Sequence, residues 1–362
     1  MSRPVRFGIV GCGKVGGLHA GALGSVPDAA VLTAVCDTSA ERAAAFAGRY
    51  GGRAFASVRE MAASGLVDAV TICTPHPLHA EAVCAAAEHG VHALVEKPMA
   101  ATLADCDLML KAAREAGTKL SVISQRRWYD PVLRMKAAID AGKIGLPVLA
   151  TFLMLSWRDE AYYRSDPWRG KWSTEGGGVL INQSPHQLDM LTWLVGEIEE
   201  VSGYWANVSH PYIEVEDTAL AMIRYRHGGL GSVIASVSQK PGIYTKVHVH
   251  GSNGYSVGVQ TDSGATFVAG MSGVQDAAYN DIWTIAGEGH LREQFEAADR
   301  AAFAVLDPTR HFHALQMRDF ALAIREGHAP AVTGEDGRRT VELFTAIYRS
   351  NAERAPVRFP VA

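Results

Sequence analysis

A short apolar run, Phe7-Gly8-Ile9-Val10, leads directly into Gly11-Cys12-Gly13-Lys14-Val15-Gly16 and then into a helix-forming stretch. Each glycine has a separate physical task. Gly11 permits a tight turn, Gly13 lets the backbone approach a pyrophosphate, and Gly16 allows the helix to pack closely on the strand. The start of that helix, with Lys14 and Val15 in its first turn, offers N–H donors and a partial positive charge to phosphates. A glycine turn alone is a weak signal, since a merely flexible loop looks the same. Its context decides. Asp37 closes the next strand, Ala34-Val35-Cys36-Asp37, where an acid binds ribose hydroxyls. An acid there repels a 2′-phosphate, and Thr38 and Ser39 follow it rather than Arg. NAD is therefore expected, with NADP the weaker alternative.

The first 125 residues repeat the same alternation. Strands are expected at 6–10, 30–36, 69–73, 93–96 and 119–124, with Ala-rich helices at 16–25, 40–48, 79–89 and 103–116 between them. That is the pattern of a parallel sheet covered by helices. After residue 125 come longer β-rich runs at 148–156, 201–208, 217–225, 231–238, 246–251 and 255–259, several separated by hairpin-type glycines. Helices are expected near 185–194, 311–326 and 334–351. The chain is too long, at 362 residues, for one comfortable core, so two domains follow: a dinucleotide-binding domain at 1–124 and a mostly antiparallel α/β domain at 125–362.

A net charge of −4 gives no basic footprint for nucleic acid. All five cysteines fall in the first third without a C-x-x-C pair, which suits buried thiols in a reducing compartment better than disulfides or a metal centre. No apolar run reaches the roughly 18 residues of a membrane helix, and no signal-peptide core precedes Val5. A soluble cytoplasmic protein is expected.

Two further segments lie where parallel sheets place ligands, beyond the carboxyl ends of strands. Thr74-Pro75-His76-Pro77-Leu78-His79 follows one strand; its histidines face a cofactor or simply cap and pack. Glu96-Lys97-Pro98 follows the next, and Lys97 is either a cleft residue or an ordinary surface lysine. In the second half, Gly176-Gly177-Gly178 precedes Val179-Leu180-Ile181-Asn182-Gln183-Ser184-Pro185-His186-Gln187-Leu188-Asp189. Three glycines let a backbone pass close to a ligand, and Pro185 suits a helix start. Asn182, His186 and Asp189 group polar chemistry around that start. From Trp157-Arg158 through Tyr162-Tyr163-Arg164 to Trp168-Arg169-Gly170-Lys171-Trp172, aromatic faces and Arg forks cluster as sugar-binding sites require. The pairs His248/His250 and His311/His313 lack cysteines or a carboxylate set at zinc-ligand spacing and read as surface or interface residues. No metal site is expected.

The ordered set G-C-G-x-x-G, T-P-x-x-x-H, E-K-P and G-G-G-x-L-x-N-Q-x-x-H-x-x-D resembles the Gfo/Idh/MocA family, which includes glucose–fructose oxidoreductase and inositol dehydrogenase. The resemblance covers essentially the whole chain. It implies an N-terminal Rossmann domain and a C-terminal α/β domain whose open-faced, mostly antiparallel sheet builds dimers or tetramers. It implies that Lys97 is the catalytic lysine and His186 its partner. It places Thr74, Pro75, His76, His79 and Glu96 near the cofactor with the glycine turn and Asp37. The segment holding Trp168, Arg169 and Trp172 would lie over the nicotinamide and substrate. Gln125-Arg126-Arg127-Trp128 resembles the family's cofactor-proximal hinge, with Arg126 towards the cofactor and Arg127 towards the substrate. Trp157, Arg158, Arg164, Trp172 and Asn182 complete the implied substrate set.

One departure matters. Inositol dehydrogenases of the family carry Asp four residues before this His, where this chain has Asn182. An Asp–His relay is unavailable, and Asn182 is better cast as an amide that orients a hydroxyl. The N-Q-x-x-H version resembles family members that oxidise hexoses or sugar derivatives, often at ring carbon 3, which implies a pyranose, with a cyclitol close behind. Oxidation needs the hydroxyl proton removed as hydride leaves. Neutral imidazole at His186 can take it, and Lys97 can stabilise the developing alkoxide, though either could be the formal base. Two other readings share the motifs: a non-catalytic NAD-binding regulatory module, and an NAD-dependent glycoside hydrolase.

Overall fold

The computed structural model describes residues 3–361 apart from 263–266, 269–270 and 273–275. The strands in chain order are β1 (Val5–Val10), β2 (Ala30–Cys36), β3 (Arg53–Phe55), β4 (Ala69–Ile72), β5 (His92–Val95), β6 (Leu120–Val122), β7 (Pro147–Leu155) and β8 (Ile198–Ala206). They continue as β9 (Thr218–Tyr225), β10 (Leu230–Ser236), β11 (Tyr244–Gly251), β12 (Ser256–Asp262), β13 (Phe267–Val268), β14 (Met271–Ser272), β15 (Tyr279–Trp283) and β16 (Val357–Arg358). The first helices are α1 (Lys14–Leu23), α2 (Ala40–Tyr50), α3 (Val58–Ala63), α4 (His79–Ala87), α5 (Leu103–Glu115) and α6 (Asp130–Asp140). The rest are α7 (Glu160–Arg164), α8 (Pro185–Val195), α9 (Leu291–Ala304), α10 (Pro308–Glu326) and α11 (Gly334–Glu353).

The chain divides into two compact units, residues 1–125 with 309–341, and 126–308 with 342–362. In the first, six parallel strands run in the order β3-β2-β1-β4-β5-β6. This is the doubly wound Rossmann order, with its reversal point between β1 and β4. All four residues of β4 are buried, as a strand covered on both faces requires. Ser39, Ser57 and Thr102 cap α2, α3 and α5 by accepting backbone N–H groups of Arg42, Glu60 and Asp105.

The single cut expected after residue 124 differs from this division, because 309–341 group with the first unit. The reason is packing. Met317 and Phe320 of α10 are buried in the same core as Phe7 and Ile9, with the Phe7 and Phe320 rings edge to face at 6.3 Å. Gln316 completes the edge strand β6: its Oε1 accepts the Ser124 N–H (2.9 Å) and its Nε2 donates to the Val122 carbonyl (2.8 Å). Apolar periodicity shows that α10 buries a face but not which core receives it. The short β3 and α3 also went unread, since Arg53-Ala54-Phe55 is too short and polar to register as a strand.

In the second unit an eight-stranded sheet has the order β15-β12-β11-β7-β10-β9-β8-β16, and only β10 with β7 is parallel. Burial alternates along β7, β9, β10 and β11. Phe152, Ala221, Val233 and Val247 point into the core, where α8 lies against β7 and β11. On the opposite face Tyr204 pairs with Leu220 and Leu220 with Ile234, forming an exposed apolar row across β8, β9 and β10. The helices α6 and α9 and strand β15 were not foreseen. Among the described residues no helix is long and apolar enough to cross a membrane, and all five cysteines are free.

Candidate functional site

In the first unit the loops after β1, β4 and β5 leave the same carboxyl edge, because Val10 pairs with Ile72 and Ile72 with Val95. Gly11 has φ +95° and lies so close to the chain after β4 that a Cβ would meet the Cys73 carbonyl at 3.0 Å. A Cβ on Gly16 would meet the Gly11 oxygen at 2.2 Å, so Gly16 is a packing requirement. Gly13 differs: its Cβ direction is open space. Helix α1 has no side-chain cap and no acid in its first turn. Its first N–H groups and the open side of Gly13 are what a pyrophosphate needs, so these residues fit a dinucleotide.

Asp37 supports that turn directly. One carboxylate oxygen accepts the Cys12 N–H (3.0 Å) and the other the Ser39 N–H (2.8 Å). Arg42, three residues into α2, folds back onto Asp37 with NH2 at 2.7 Å from Oδ1. Burial alone would raise the Asp37 carboxyl, but Arg42 and the two N–H donors outweigh it and hold it below the usual aspartate range. Arg42 stands five residues after Asp37, past the adjacent Thr38 and Ser39 on which the expectation of NAD rests.

Beyond β4 and β5 the histidines and acid take structural partners. His79 is buried, with its ring nitrogens 2.9 Å from the Thr74 carbonyl and 3.1 Å from that of Met99, so it ties two loops together rather than meeting a cofactor. His76, the turn residue before it, is also buried. Glu96 likewise spends its carboxylate internally: Oε1 lies 2.7 Å from His19 Nε2, and Oε2 accepts the Lys97 N–H (3.0 Å). Lys97 itself is half-buried at the strand end.

The second unit builds a polar cluster around a buried phenol. The Tyr162 oxygen accepts from Arg169 (2.6 Å), Gln183 (2.9 Å) and Asn182 (3.1 Å). Burial pushes its pKa up, Arg169 opposing. Asn182 also donates to buried Glu175, whose other oxygen accepts the Gly170 N–H (2.5 Å). Asn182 is thereby fixed in orientation by Tyr162 and Glu175. Arg158 is buried, stacked over Tyr162 and bonded to the Trp157 carbonyl. Arg169 also stacks on Trp168. Arg126 donates to Thr261 (3.0 Å). His186 is buried in the first turn of α8.

Several expected ligand contacts are redirected. The guanidinium of Arg127 is buried against Asp189 and stacked on Trp193, so it does not face a substrate. Arg164 is exposed and paired with Glu160, one helical turn earlier. Trp172 gives its indole N–H to the Glu214 carbonyl and packs on Trp205 and Tyr348. The glycine run serves the fold: a Cβ on Gly177 would meet the Tyr348 hydroxyl at 2.2 Å, and one on Gly178 the Glu216 carbonyl at 2.0 Å. The Glu216 carboxylate accepts the N–H groups of Gly178 and Leu180 and the Tyr348 hydroxyl, anchoring the tight turn Val179–Gln183 before α8.

Residues 5–124 match the Gfo/Idh/MocA model described as an oxidoreductase family with an NAD-binding Rossmann fold, and residues 132–257 match the family's C-terminal domain. The chain belongs to the Gfo/Idh/MocA family. It is 31% identical to an inositol 2-dehydrogenase of Rubrobacter xylanophilus, over 91% of this chain and 86% of that protein. It is 27% identical to a myo-inositol 2-dehydrogenase of Thermotoga maritima, over 98% of each. Among solved structures, the WlbA dehydrogenase of Bordetella pertussis, in complex with NADH and UDP-GlcNAcA, superimposes with a TM-score of 0.88 at 31% identity, covering 100% of this chain and 99% of that one. As a Gfo/Idh/MocA member the chain is an NAD-dependent dehydrogenase.

Glu175, Arg42 and His19 carry no signal in the sequence analysis, Tyr162 is there only one member of an aromatic cluster, and His313, expected at the surface, is buried. Tyr162 stood inside the aromatic cluster, yet nothing in spacing marks a phenol that will receive three donors. Arg42 was more accessible. A residue in the first turn of a helix begun by Ser39 points back towards the preceding strand end.

Proposed function

We propose that this dehydrogenase transfers a hydride from a secondary hydroxyl of a sugar or cyclitol to NAD, giving the ketone, with a pyranose oxidised at ring carbon 3 as the preferred case. The observation that carries it lies inside the first unit. Lys97 stands at the carboxyl edge of the sheet that holds the dinucleotide turn, and its main chain is tied down by Glu96. NAD, when bound, supplies the hydride acceptor. Lys97 donates to the reacting oxygen and stabilises the charge it develops. His186 removes the hydroxyl proton as its imidazole becomes imidazolium. Asn182, held by Tyr162 and Glu175, and the Arg158–Trp157 and Trp168–Arg169 pairs supply the amide, guanidinium and aromatic chemistry that polyols bind. The named activities of the relatives, on inositols, and the UDP-GlcNAcA seen with WlbA, fit this substrate class.

The deciding experiment follows NADH at 340 nm with NAD or NADP against monosaccharides, anhydrosugars, inositols and sugar nucleotides. NAD reduction by at least one of them is expected, with Lys97→Ala binding NADH normally but turning over poorly. Tight NADH binding without any reduction across the set overturns the reading. Five free thiols fit a reducing compartment, and the cytoplasm is the proposed location. The exposed Tyr204–Leu220–Ile234 row, continued by Met222 (70% exposed), is proposed to pair with a second copy, since a two-fold axis would bury the same apolar row of each copy against the other. Light scattering of Met222→Glu, expected to shift towards monomer, tests that.

A further inference from the structure

Two imidazoles from distant helices converge on the Glu96 carboxylate in the first unit. His19 is fully buried on α1, Glu96 follows β5, and His313, expected at the surface, is buried on α10. His19 Nδ1 is 2.7 Å from the Thr71 hydroxyl and its Nε2 is 2.7 Å from Glu96 Oε1. His313 gives its Nδ1 proton to the Thr309 carbonyl (2.6 Å), which turns Nε2 towards Glu96 Oε1 at 3.9 Å. The two imidazoles lie 5.5 Å apart, centroid to centroid. The remaining carboxylate oxygen accepts the Lys97 N–H.

We infer that His19, Glu96 and His313 are positioning residues for Lys97: His19, from α1, hydrogen-bonds one oxygen of the Glu96 carboxylate, and a protonated His313, from α10, attracts the same oxygen by its charge across 3.9 Å, so that the other oxygen holds the Lys97 main chain. This rests on the reading of Lys97 as the residue that acts on the hydroxyl. Both imidazoles are themselves fixed, His19 by Thr71 and His313 by Thr309, which restrains the carboxylate. The charges agree with the geometry. Burial alone would raise the Glu96 carboxyl, but His19, then His313 and Lys97, outweigh it and keep it ionised. A lysine that must reach a reacting oxygen needs its backbone held this firmly, because a displacement of about 1 Å costs on the order of 100-fold in rate.

The same three side chains are the one group among the described residues whose ligand atoms converge closely enough, within 4.8 Å, to hold a metal ion. The direct His19–Glu96 hydrogen bond and the engagement of Oε2 by Lys97 make the hydrogen-bonded clamp the better account. The test compares His313→Ala, His313→Gln, Glu96→Ala, Lys97→Arg and the double variant His313→Ala/Lys97→Arg, by steady-state kinetics, NADH binding by fluorescence, thermal melting and metal content. Expected is a fall in kcat of about 10- to 100-fold for His313→Ala and Glu96→Ala, with the NADH Kd within about threefold of wild type. His313→Gln, whose amide dipole can be turned towards Glu96 but carries no charge, regains part of the rate. In the Lys97→Arg background His313→Ala adds little, because it acts through the lysine. Equal losses in both backgrounds, or a normal kcat in His313→Ala, overturn the clamp. A stoichiometric metal ion lost with His313→Ala overturns it in favour of a metal site. Normal turnover in Lys97→Ala instead removes the underlying reading of Lys97.

Discussion

Arg127 and Asp189 form a buried, two-pronged ion pair, Nε to Oδ2 at 2.8 Å and NH2 to Oδ1 at 2.5 Å, with both side chains about 5% exposed (4% and 6%). The arginine also stacks on Trp193 at 4.8 Å. The pair joins the short turn Gln125–Trp128 to α8, the helix that carries His186. Removing one partner leaves an uncompensated buried charge, which costs about 3–5 kcal/mol. Arg127→Met should therefore destabilise by that order in urea denaturation. Arg127→Met/Asp189→Leu should recover most of the loss, and a double variant as unstable as the single one would contradict the assignment.

Gly13 and Gly16 look alike in the motif but face different surroundings. Open space beside Gly13 means that Gly13→Ala should keep its melting temperature yet lose NADH affinity, by about tenfold or more, because the methyl occupies the phosphate side. Gly16→Ala would drive a methyl to 2.2 Å from the Gly11 oxygen and should lose stability first. Calorimetry and NADH titration separate the two, and an unstable Gly13→Ala would show that its open side is filled in solution.

The Arg42–Asp37 pair sets a two-step expectation for cofactor choice. Asp37→Ala removes the acid that repels a 2′-phosphate and at the same time releases an exposed guanidinium. NADP use should rise relative to NAD by about tenfold, roughly 1.4 kcal/mol. Asp37→Ala/Arg42→Ala should give back much of that gain, since the freed cation is then missing. The kcat/KM ratio for the two cofactors reads both steps, and an unchanged ratio in Asp37→Ala would exclude Asp37 as the ribose ligand.

Glu216 carries a pH dependence of stability. Burial raises its pKa from 4.5 to about 7, against the opposing N–H and Tyr348 donors. The folded protein thus holds this proton more tightly than the unfolded chain. The resulting stabilisation is complete below about pH 4.5 and is lost as pH rises through about 7, a change of about 3 kcal/mol from this group. Denaturation of wild type and Glu216→Gln across this window should show a steeper decline in wild type. The variant loses stability at every pH, because an amide N–H₂ meets backbone donors, so the slope rather than the level is the measure.

Much of the first unit was legible because its signals are local. Val5–Val10, Gly11, Gly13, Gly16 and Asp37 sit within one strand–helix–strand stretch, and their spacing alone dictates a turn with donors at a helix start. The second unit was legible as alternating strands but not as a site. Spacing singles out Asn182 and His186 as candidates and places Tyr162 only within an aromatic cluster, since three donors reach one phenol only after α7 and the turn at Val179–Gln183 are brought together.

The sequence by itself determined the dinucleotide turn, the acid that closes the second strand, and the lysine at the end of β5, because each depends on residues a few positions apart. Tertiary structure decided which polar groups became tools and which became struts. It buried Arg127 on Asp189, turned two of the three glycines into packing contacts, and brought His313 to Glu96 from more than 200 residues away. Hydrophobic periodicity states that a helix must bury a face. It does not state against what, and the partner fixes whether a buried imidazole or guanidinium meets a substrate or another side chain.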